Sequence, residues 1–339
     1  MSKNLYQLQN ILSVVVLIYG IWLSPMLYAQ GALRRDMLML TNINTNRGLS
    51  SARVYSIMQA SDGAMWISTK SGVDRFNGQM VKNYELTTDK LYSDVSGGRN
   101  FKLFKDAHQR FYAYDNKGKL YIYNKVSDNF VLVYDLMKVL GVAVVVNEII
   151  ADTYGYLWIA MDKGVYQVPA PAANEAMPLN QLPIKEKGRH LLKGLYVNHL
   201  RFVGQTLLVG SSKGVLAYLP QKETLKTILP GCAVLSSYHD AATHQLWLGT
   251  FHNGIKIIDD RTWQPIPMSV TFKGIPNIPV RSMISYNGQT VLIGIDGAGV
   301  YAYDKQSKQI SLLLNTDGRP DNALQGNGVY TLYCDQLGD

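Results

Sequence analysis

Side chains along this chain change character by twos, as at Val54, Ser56 and Met58, and not by the threes and fours of an amphipathic helix, which predicts short strands. A phrase built of such strands recurs: an apolar strand, a polar turn, an aromatic–aliphatic strand, small residues, a glycine, then another strand. It reads Met65-Trp66-Ile67-Ser68-Thr69-Lys70-Ser71-Gly72-Val73. It returns as Leu157-Trp158-Ile159-Ala160-Met161-Asp162-Lys163-Gly164-Val165 and as Leu246-Trp247-Leu248-Gly249-Thr250-Phe251-His252-Asn253-Gly254-Ile255. Looser copies run from Phe111-Tyr112-Ala113 to Gly118, from Leu207-Leu208-Val209-Gly210 to Gly214, and from Val291-Leu292-Ile293-Gly294 to Gly299. Anchored on the Trp position, the copies fall at 66, 112, 158, 208, 247 and 292, a period of about 45 residues. That period, made of short strands and glycine turns, predicts an all-β fold: a β-propeller of four-stranded blades with six complete repeats and the start of a seventh. A β-helix would need a much shorter period.

Roles follow within a blade. Arg53 to Ala60 is the innermost strand, flanking the central channel, and Ser61-Asp62-Gly63 is a turn whose glycine tolerates positive φ. Ala64 to Thr69 is the second strand, Val73 to Phe76 the third and Val81 to Leu86 the exposed fourth. Trp66, Trp158 and Trp247 read as core between neighbouring blades and not as sugar-stacking platforms.

The two ends read differently. Lys3 is the one charged side chain before Arg34, and an apolar run from Ile11 to Leu23 is followed by Pro25 and the small Ala29. This pattern predicts a secretory signal over residues 1–29 and a propeller domain over 30–339, with an uncleaved anchor from Ile11 to Tyr28 as the rival reading. At the other end, Gly328 to Asp339 copies the opening of a repeat and stops before its Trp position. Met37-Leu38-Met39-Leu40-Thr41 reads as an opening strand that would close the ring as the last blade's outer strand. With the seventh blade's middle strands missing, raw sheet edges and poor stability are expected, as of a fragment of a longer protein.

Composition narrows the function classes. Hydrophobic residues make up 47% and charged ones 17%, enough for a sizeable core and against disorder. Two cysteines, Cys232 and Cys334, are too few for a disulfide scaffold or a thiolate zinc site. They fall on different innermost strands, so no bridge is expected. The six histidines are scattered; His239, His244 and Asp240 read as a surface turn, and no metal or cofactor is expected. No P-loop, HExxH or nucleophile elbow appears.

The run Gly48-Leu49-Ser50-Ser51, Val54-Tyr55-Ser56-Ile57, Ser61-Asp62-Gly63, Met65-Trp66-Ile67-Ser68-Thr69 and Gly72-Val73-Asp74-Arg75-Phe76 resembles the two-component-regulator propeller repeat. The resemblance spans about residues 36 to 339, specific in the first, third and fifth copies and loose in the others. It implies the periplasmic sensor region of a hybrid histidine kinase of the Bacteroides type that senses glycan fragments. The parent is then anchored in the inner membrane and homodimeric. A second propeller, a stalk, a membrane helix and the kinase and regulator modules would follow in the same parent; the sequence given carries no phospho-acceptor box, ATP-lid glycines or second apolar span.

Propellers bind at a face, where loops converge on the channel mouth. Two loop classes share one face here, the entry to the innermost strand and the turn between second and third strands. Arg53, Arg99 and Arg281 stand in the first; Lys70, Lys117, Lys163 and Lys213 stand in the second, where the fifth blade offers Phe251 and His252 instead. Seven cations around one opening predict an oligosaccharide ligand, acidic in character, with arginines gripping carboxylate or sulfate. Asp115, Asp162 and Asp296 on the same turns dilute that field, and lysines beside turn glycines also serve as plain soluble turn residues. Nucleic acid is not the expected partner of an exported chain, although the pI is about 9.2.

The expected function is therefore an exported ligand-sensing module, without catalytic motif of its own. One alternative is a propeller lyase or hydrolase acting on polysaccharide, for which His252 is the aligned candidate base. Another is a stand-alone propeller for protein partners.

Overall fold

The computed structural model describes residues 33–35, 38–86, 100–171, 188–267, 272, 274–318 and 323–336. The leader read at residues 1–29 and the candidate Arg99 lie outside the described residues. The first blade is β1 (Val54–Gln59), β2 (Met65–Thr69), β3 (Gly72–Phe76) and β4 (Val81–Glu85). The second is β5 (Phe101–Lys105), β6 (Phe111–Asp115), β7 (Lys119–Asn124) and β8 (Asn129–Asp135), followed by a one-turn helix, Leu136–Leu140. The third is β9 (Val146–Ala151), β10 (Tyr156–Met161), β11 (Gly164–Pro169) and β12 (Arg189–Leu191), and the fourth is β13 (Val197–Val203), β14 (Thr206–Ser211), β15 (Gly214–Leu219) and β16 (Thr224–Pro230). The fifth is β17 (Val234–Asp240), β18 (Gln245–Thr250) and β19 (Ile255–Asp259), with Pro265 bridging to Ile258 where a fourth strand would run. The sixth is β20 (Val280–Tyr286), β21 (Thr290–Ile295), β22 (Gly299–Asp304) and β23 (Gln309–Leu314).

Every sheet is an antiparallel meander in chain order, and the first strands β1, β5, β9, β13, β17 and β20 pack side by side around a central channel. This is a six-bladed propeller, with the opening of a seventh repeat beside it. A meander suits the sequence because each turn is supplied locally. Gly72, for example, has φ +154° and lies so close to Tyr84 that a Cβ would meet its carbonyl oxygen at 2.2 Å.

The core lies between blades. Trp66 packs with Phe101, Phe111 and Phe130 of the second blade; Trp158 packs with Val197, Leu200 and Leu207 of the fourth; Trp247 packs with Val280, Met283 and Val291 of the sixth. Tyr112 meets the third blade and Leu208 the fifth in the same way. Aspartates of the β1–β2-type hairpins fix the anchors. Asp152 accepts the indole Nε1–H of Trp158 at 2.8 Å, and Asp106 accepts the Tyr112 hydroxyl at 3.2 Å. Buried Asp74 holds the first blade's entry by accepting from the Ser50 backbone N–H at 2.8 Å and its hydroxyl at 2.9 Å, which accounts for the Gly-Leu-Ser-Ser phrase.

The phrase's small residues have a geometric reason as well. Ser68, Ala160, Gly210, Gly249 and Gly294 stand opposite Ser56, Glu148, His199, Ser236 and Ser282 on the innermost strands, and in the looser second copy Tyr114 stands opposite Lys102. These innermost-strand side chains stitch one blade to the next. Ser56 Oγ accepts the Leu103 N–H at 2.8 Å, Glu148 Oε2 the Leu200 N–H at 2.6 Å, and Ser282 Oγ the Leu332 N–H at 3.1 Å. The last of these places Leu332 as Leu103 and Leu200 are placed. The segment around it therefore lies in the seventh repeat's innermost position, and Gln336 N–H reaches Gln59 Oε1 of β1 at 2.9 Å.

The expected opening strand at residues 37–41 is a correction. Leu38 to Thr41 form no strand, Met39 is 95% exposed, and Met37 lies outside the described residues. The chain is held there by Arg35, whose guanidinium donates to Leu313 O at 2.9 Å and to Asn315 Oδ1, so a side chain and not a backbone ladder fastens it to the end of β23. Cys232 is buried just before β17 and Cys334 follows β23, so neither lies within a strand, contrary to what the sequence pattern had suggested.

Candidate ligand-binding site

The two loop classes do share a face, since backbone bonds tie them together. Asp162 N–H meets Val145 O at 3.0 Å, Ser212 N–H meets Tyr196 O at 2.8 Å, Phe251 N–H meets Ala233 O at 2.9 Å, and Asp296 N–H meets Pro279 O at 3.0 Å. Just inside that face, five innermost strands leave one residue out of register: Tyr55, Asn147, Asn198, Leu235 and Arg281. An extra residue of this kind turns its side chain away from the ladder, and Tyr55, Leu235 and Arg281 line the channel, a space of about 510 Å³.

At one side of the mouth these residues form a cluster. Arg281 Nε and Nη2 donate to Asp296 Oδ2 at 3.1 and 3.0 Å, and its guanidinium lies 5.5 Å from the ring centre of Tyr330. Tyr55 meets Tyr330 edge-on, 6.3 Å between centroids, and Tyr330 is about half exposed. Two aromatic rings beside a charge-compensated donor–acceptor pair offer both an apolar face and hydrogen-bonding groups in partial contact with solvent.

The residues named from sequence are placed unevenly. Arg281 belongs to the register of Tyr55 and not, as its grouping with Arg53 implied, to that of Arg53; the left-out residue in each strand shifts the count. Arg53 is exposed at the entry to β1. Lys70, Lys163 and Lys213 are exposed on successive turns and Lys117 is half-buried, so these lysines are spread round the rim, one per blade. Lys163 Nζ donates to Ala143 O at 2.7 Å. Phe251 and His252 are exposed and touch edge-on, 4.4 Å apart. Asp115 and Asp162 do more than dilute charge: Asp115 Oδ1 accepts the N–H groups of Lys117 and Lys119, and Asp162 Oδ1 accepts that of Val145.

Deeper in the channel wall lies a relay that sequence reading missed. Glu148 Oε2 is 2.8 Å from His199 Nδ1, and His199 Nε2 is 2.8 Å from Ser237 Oγ, linking the third, fourth and fifth blades. Lys102 donates to Asn147 O at 2.8 Å and Arg201 to Ser237 O at 3.2 Å. Burial pulls the Lys102 ammonium below the usual lysine range. Burial pushes Glu148 the other way, but the adjoining His199, Lys102 and the Leu200 N–H more than offset it and leave the carboxyl below its ordinary range. The available signal was a polar residue at the same mid-strand position in all six copies. His239 and His244 share Asp260, at 2.6 and 3.2 Å, and no group of potential metal ligands occurs among the described residues.

Residues 48–71 match the family model described as the two component regulator propeller. The first blade carries a two-component-regulator propeller repeat. In that repeat the Gly-Leu-Ser-Ser phrase leads into the innermost strand and the turn after β2, so the matched residues build the first blade's share of the mouth. Among solved structures the chain is similar to the extracellular domain of BT4673 from B. thetaiotaomicron, designated a hybrid two component system, at TM-score 0.65 and 18% identity. The extracellular domain of BT3049 from the same organism gives TM-score 0.65 at 15% identity. Both alignments cover 88% of this chain, and 38% and 40% of those chains, so the chain spans about two-fifths of their length. PorZ, a surface component of the type-IX secretion system of Porphyromonas gingivalis, gives TM-score 0.51 at 12% identity over 72% of this chain and 37% of its own. At these identities the likeness is one of fold. No curated protein matches the chain in sequence.

Proposed function

We propose that this chain is the exported ligand-sensing propeller of a hybrid two-component system, which takes an oligosaccharide at the channel mouth and signals to kinase modules of the same parent, itself a homodimer in the inner membrane. The observation that carries the reading is the mouth cluster of Tyr55, Tyr330 and the Arg281–Asp296 pair. Its rings suit the C–H face of a sugar, and its charged pair suits hydroxyls or an acidic substituent. The regulator-propeller repeat and the fold shared with extracellular domains of hybrid two-component systems support the sensor role. Binding there would bias how the mouth packs against the neighbouring module.

Calorimetry against neutral and acidic oligosaccharides tests it. A ligand is expected whose affinity falls about tenfold or more in Arg281→Ala/Tyr330→Ala. Arg53→Ala/Arg281→Ala is expected to weaken an acidic ligand further. Binding that ignores both pairs would remove the mouth from the reading, and glycan turnover by the wild type would favour an enzyme.

One observation favours that second reading. Ser237, His199 and Glu148 follow each other at 2.8 Å in the order of a hydrolase relay, in which His199 would take the serine proton as Oγ adds to an ester carbonyl and return it to the alcohol that departs as the C–O bond breaks, with water later freeing the serine. Labelling of Ser237 by a fluorophosphonate would support it; an unlabelled wild type returns the relay to a purely inter-blade role.

A further inference from the structure

Trp66, Trp158 and Trp247 hold the same place in β2, β10 and β18, each opposite a third-strand residue: Arg75, Gln167 and Ile257. What lies over each indole differs. Over Trp66 lies the Arg75 guanidinium, 5.6 Å from the ring centre and held by Asp62 at 2.5 Å. Against Trp247 pack Phe272 and Tyr303, with centroids 5.2 and 4.9 Å away. In the third blade Gln167 stands where Arg75 stands in the first. The residue is 9% exposed, and its amide makes no hydrogen bond to any described residue. Tyr154 stands where Asp62 stands, four residues before the Trp, and Asp152 is turned inward onto the Trp158 indole and the N–H groups of Tyr154 and Tyr156, each at 2.8 Å, so no ion pair spans the gap.

The result is an open cleft of about 520 Å³ between the third and fourth blades, larger than the space of about 380 Å³ left beside Arg75 and Trp66 between the first and second. Buried Trp158 and partly buried Phe202, meeting edge-on at 5.5 Å, form its floor. Tyr154 and Tyr156, 69% and 39% exposed, stand at its side. Gln205 and Gln221 face Gln167 across it, and the one cation at the rim, Arg189, is paired with Glu223.

We propose that this cleft is a second ligand site, which takes an uncharged pyranose ring. The volume falls in the usual small-molecule range of roughly 300–1,000 Å³. An amide both donates and accepts, as a sugar hydroxyl does, and the Gln167 amide, which lines the cleft without a partner among the described residues, can pair with such a hydroxyl. Exposed tyrosine rings cover the sugar's C–H face while their hydroxyls stay wet. With Arg189 paired to Glu223 and Asp152 taken up by three N–H donors, the cleft has no preference for an ionic ligand. It opens among the hairpins that join first and second strands, the face opposite the channel mouth, and so stands independently of the mouth site.

The test is calorimetric titration of the whole chain with maltose, cellobiose, mannobiose, xylobiose and lactose. At least one is expected to bind, with affinity lowered about fivefold to tenfold by Tyr154→Ala and by Gln167→Leu at unchanged circular dichroism. Tyr154 sits on an exposed turn, so its variant keeps the fold. Arg281→Ala/Tyr330→Ala is expected to leave this binding in place. The proposal is overturned if none of the five sugars binds, if binding survives both cleft substitutions, or if only the mouth variant abolishes it.

Discussion

Gly249→Val is expected to destabilise the protein by at least about 3 kcal/mol, seen as a lower urea midpoint. Gly249 lies in β18, where a Cβ would sit 2.2 Å from Ser236 Oγ, 2.8 Å from Val280 O and 2.9 Å from Val280 Cγ1. Ser236 cannot swing aside without loss, because its hydroxyl donates to Val280 O at 2.9 Å. Val280 O belongs to the next blade's backbone, so relief requires the fifth and sixth blades to part and the packing of Trp247 against Val280, Met283 and Val291 to loosen with them. The same position in the fourth blade is roomier: a Cβ on Gly210 would meet Val234 Cβ at 3.1 Å and Val234 O at 3.2 Å. Gly210→Ala is therefore expected to cost less than Gly249→Ala. Equal costs would show that blade spacing is not what selects glycine here.

The contrast marks what could be read from the chain. The blade plan was legible because the anchor position (Trp in three of six copies), the turn glycine and the alternation by twos are local signals that recur in every copy. Small residues after the anchor were visible too, though their cause was not, since it lies in a carbonyl one blade away. The mouth was harder. Spacing placed Arg281 beside Arg53, but one left-out residue per innermost strand moves Arg281 into the register of Tyr55. Its partner Asp296 sits on a different strand's turn, and Tyr330 comes from the next repeat. Such contacts depend on how sheets stack, which no single blade's sequence records. The lysines were found because turn position is local, but spacing along the chain could not tell a ring of separate turns from a converging site. Gln167 was passed over for a related reason: a lone glutamine in a strand has no signal until the arginine at the matching place in the first blade is set beside it.

Glu148 joins three blades, and its loss is expected to be nearly as severe as that of Gly249. Its Oε2 takes the Leu200 N–H at 2.6 Å and His199 Nδ1 at 2.8 Å, and it is the carboxylate that faces Lys102 and Arg201 across the channel wall. Glu148→Ala leaves an orphan backbone N–H, removes the orienting partner of His199, and strands two partly buried cations, one of which, Arg201, already has a buried Nε without a partner among the described residues. A cost of about 2–4 kcal/mol is expected, the side chain's quarter exposure to the channel keeping it below that of a fully enclosed pair. Glu148→Gln keeps an acceptor for Leu200 and removes only the charge, so it should cost less. The pH dependence separates charge from shape. Because the folded carboxyl titrates below the ordinary value of 4.5, its stabilisation is complete above that value and fades as pH falls through the lowered folded value. Wild type should therefore lose stability more steeply than Glu148→Gln between about pH 5 and pH 3. Denaturant midpoints measured across that window decide it: parallel slopes would mean that the inter-blade seam is held by hydrogen bonding alone, and a shallower slope in the glutamine variant would place the charge of Glu148 at the centre of the ring's cohesion.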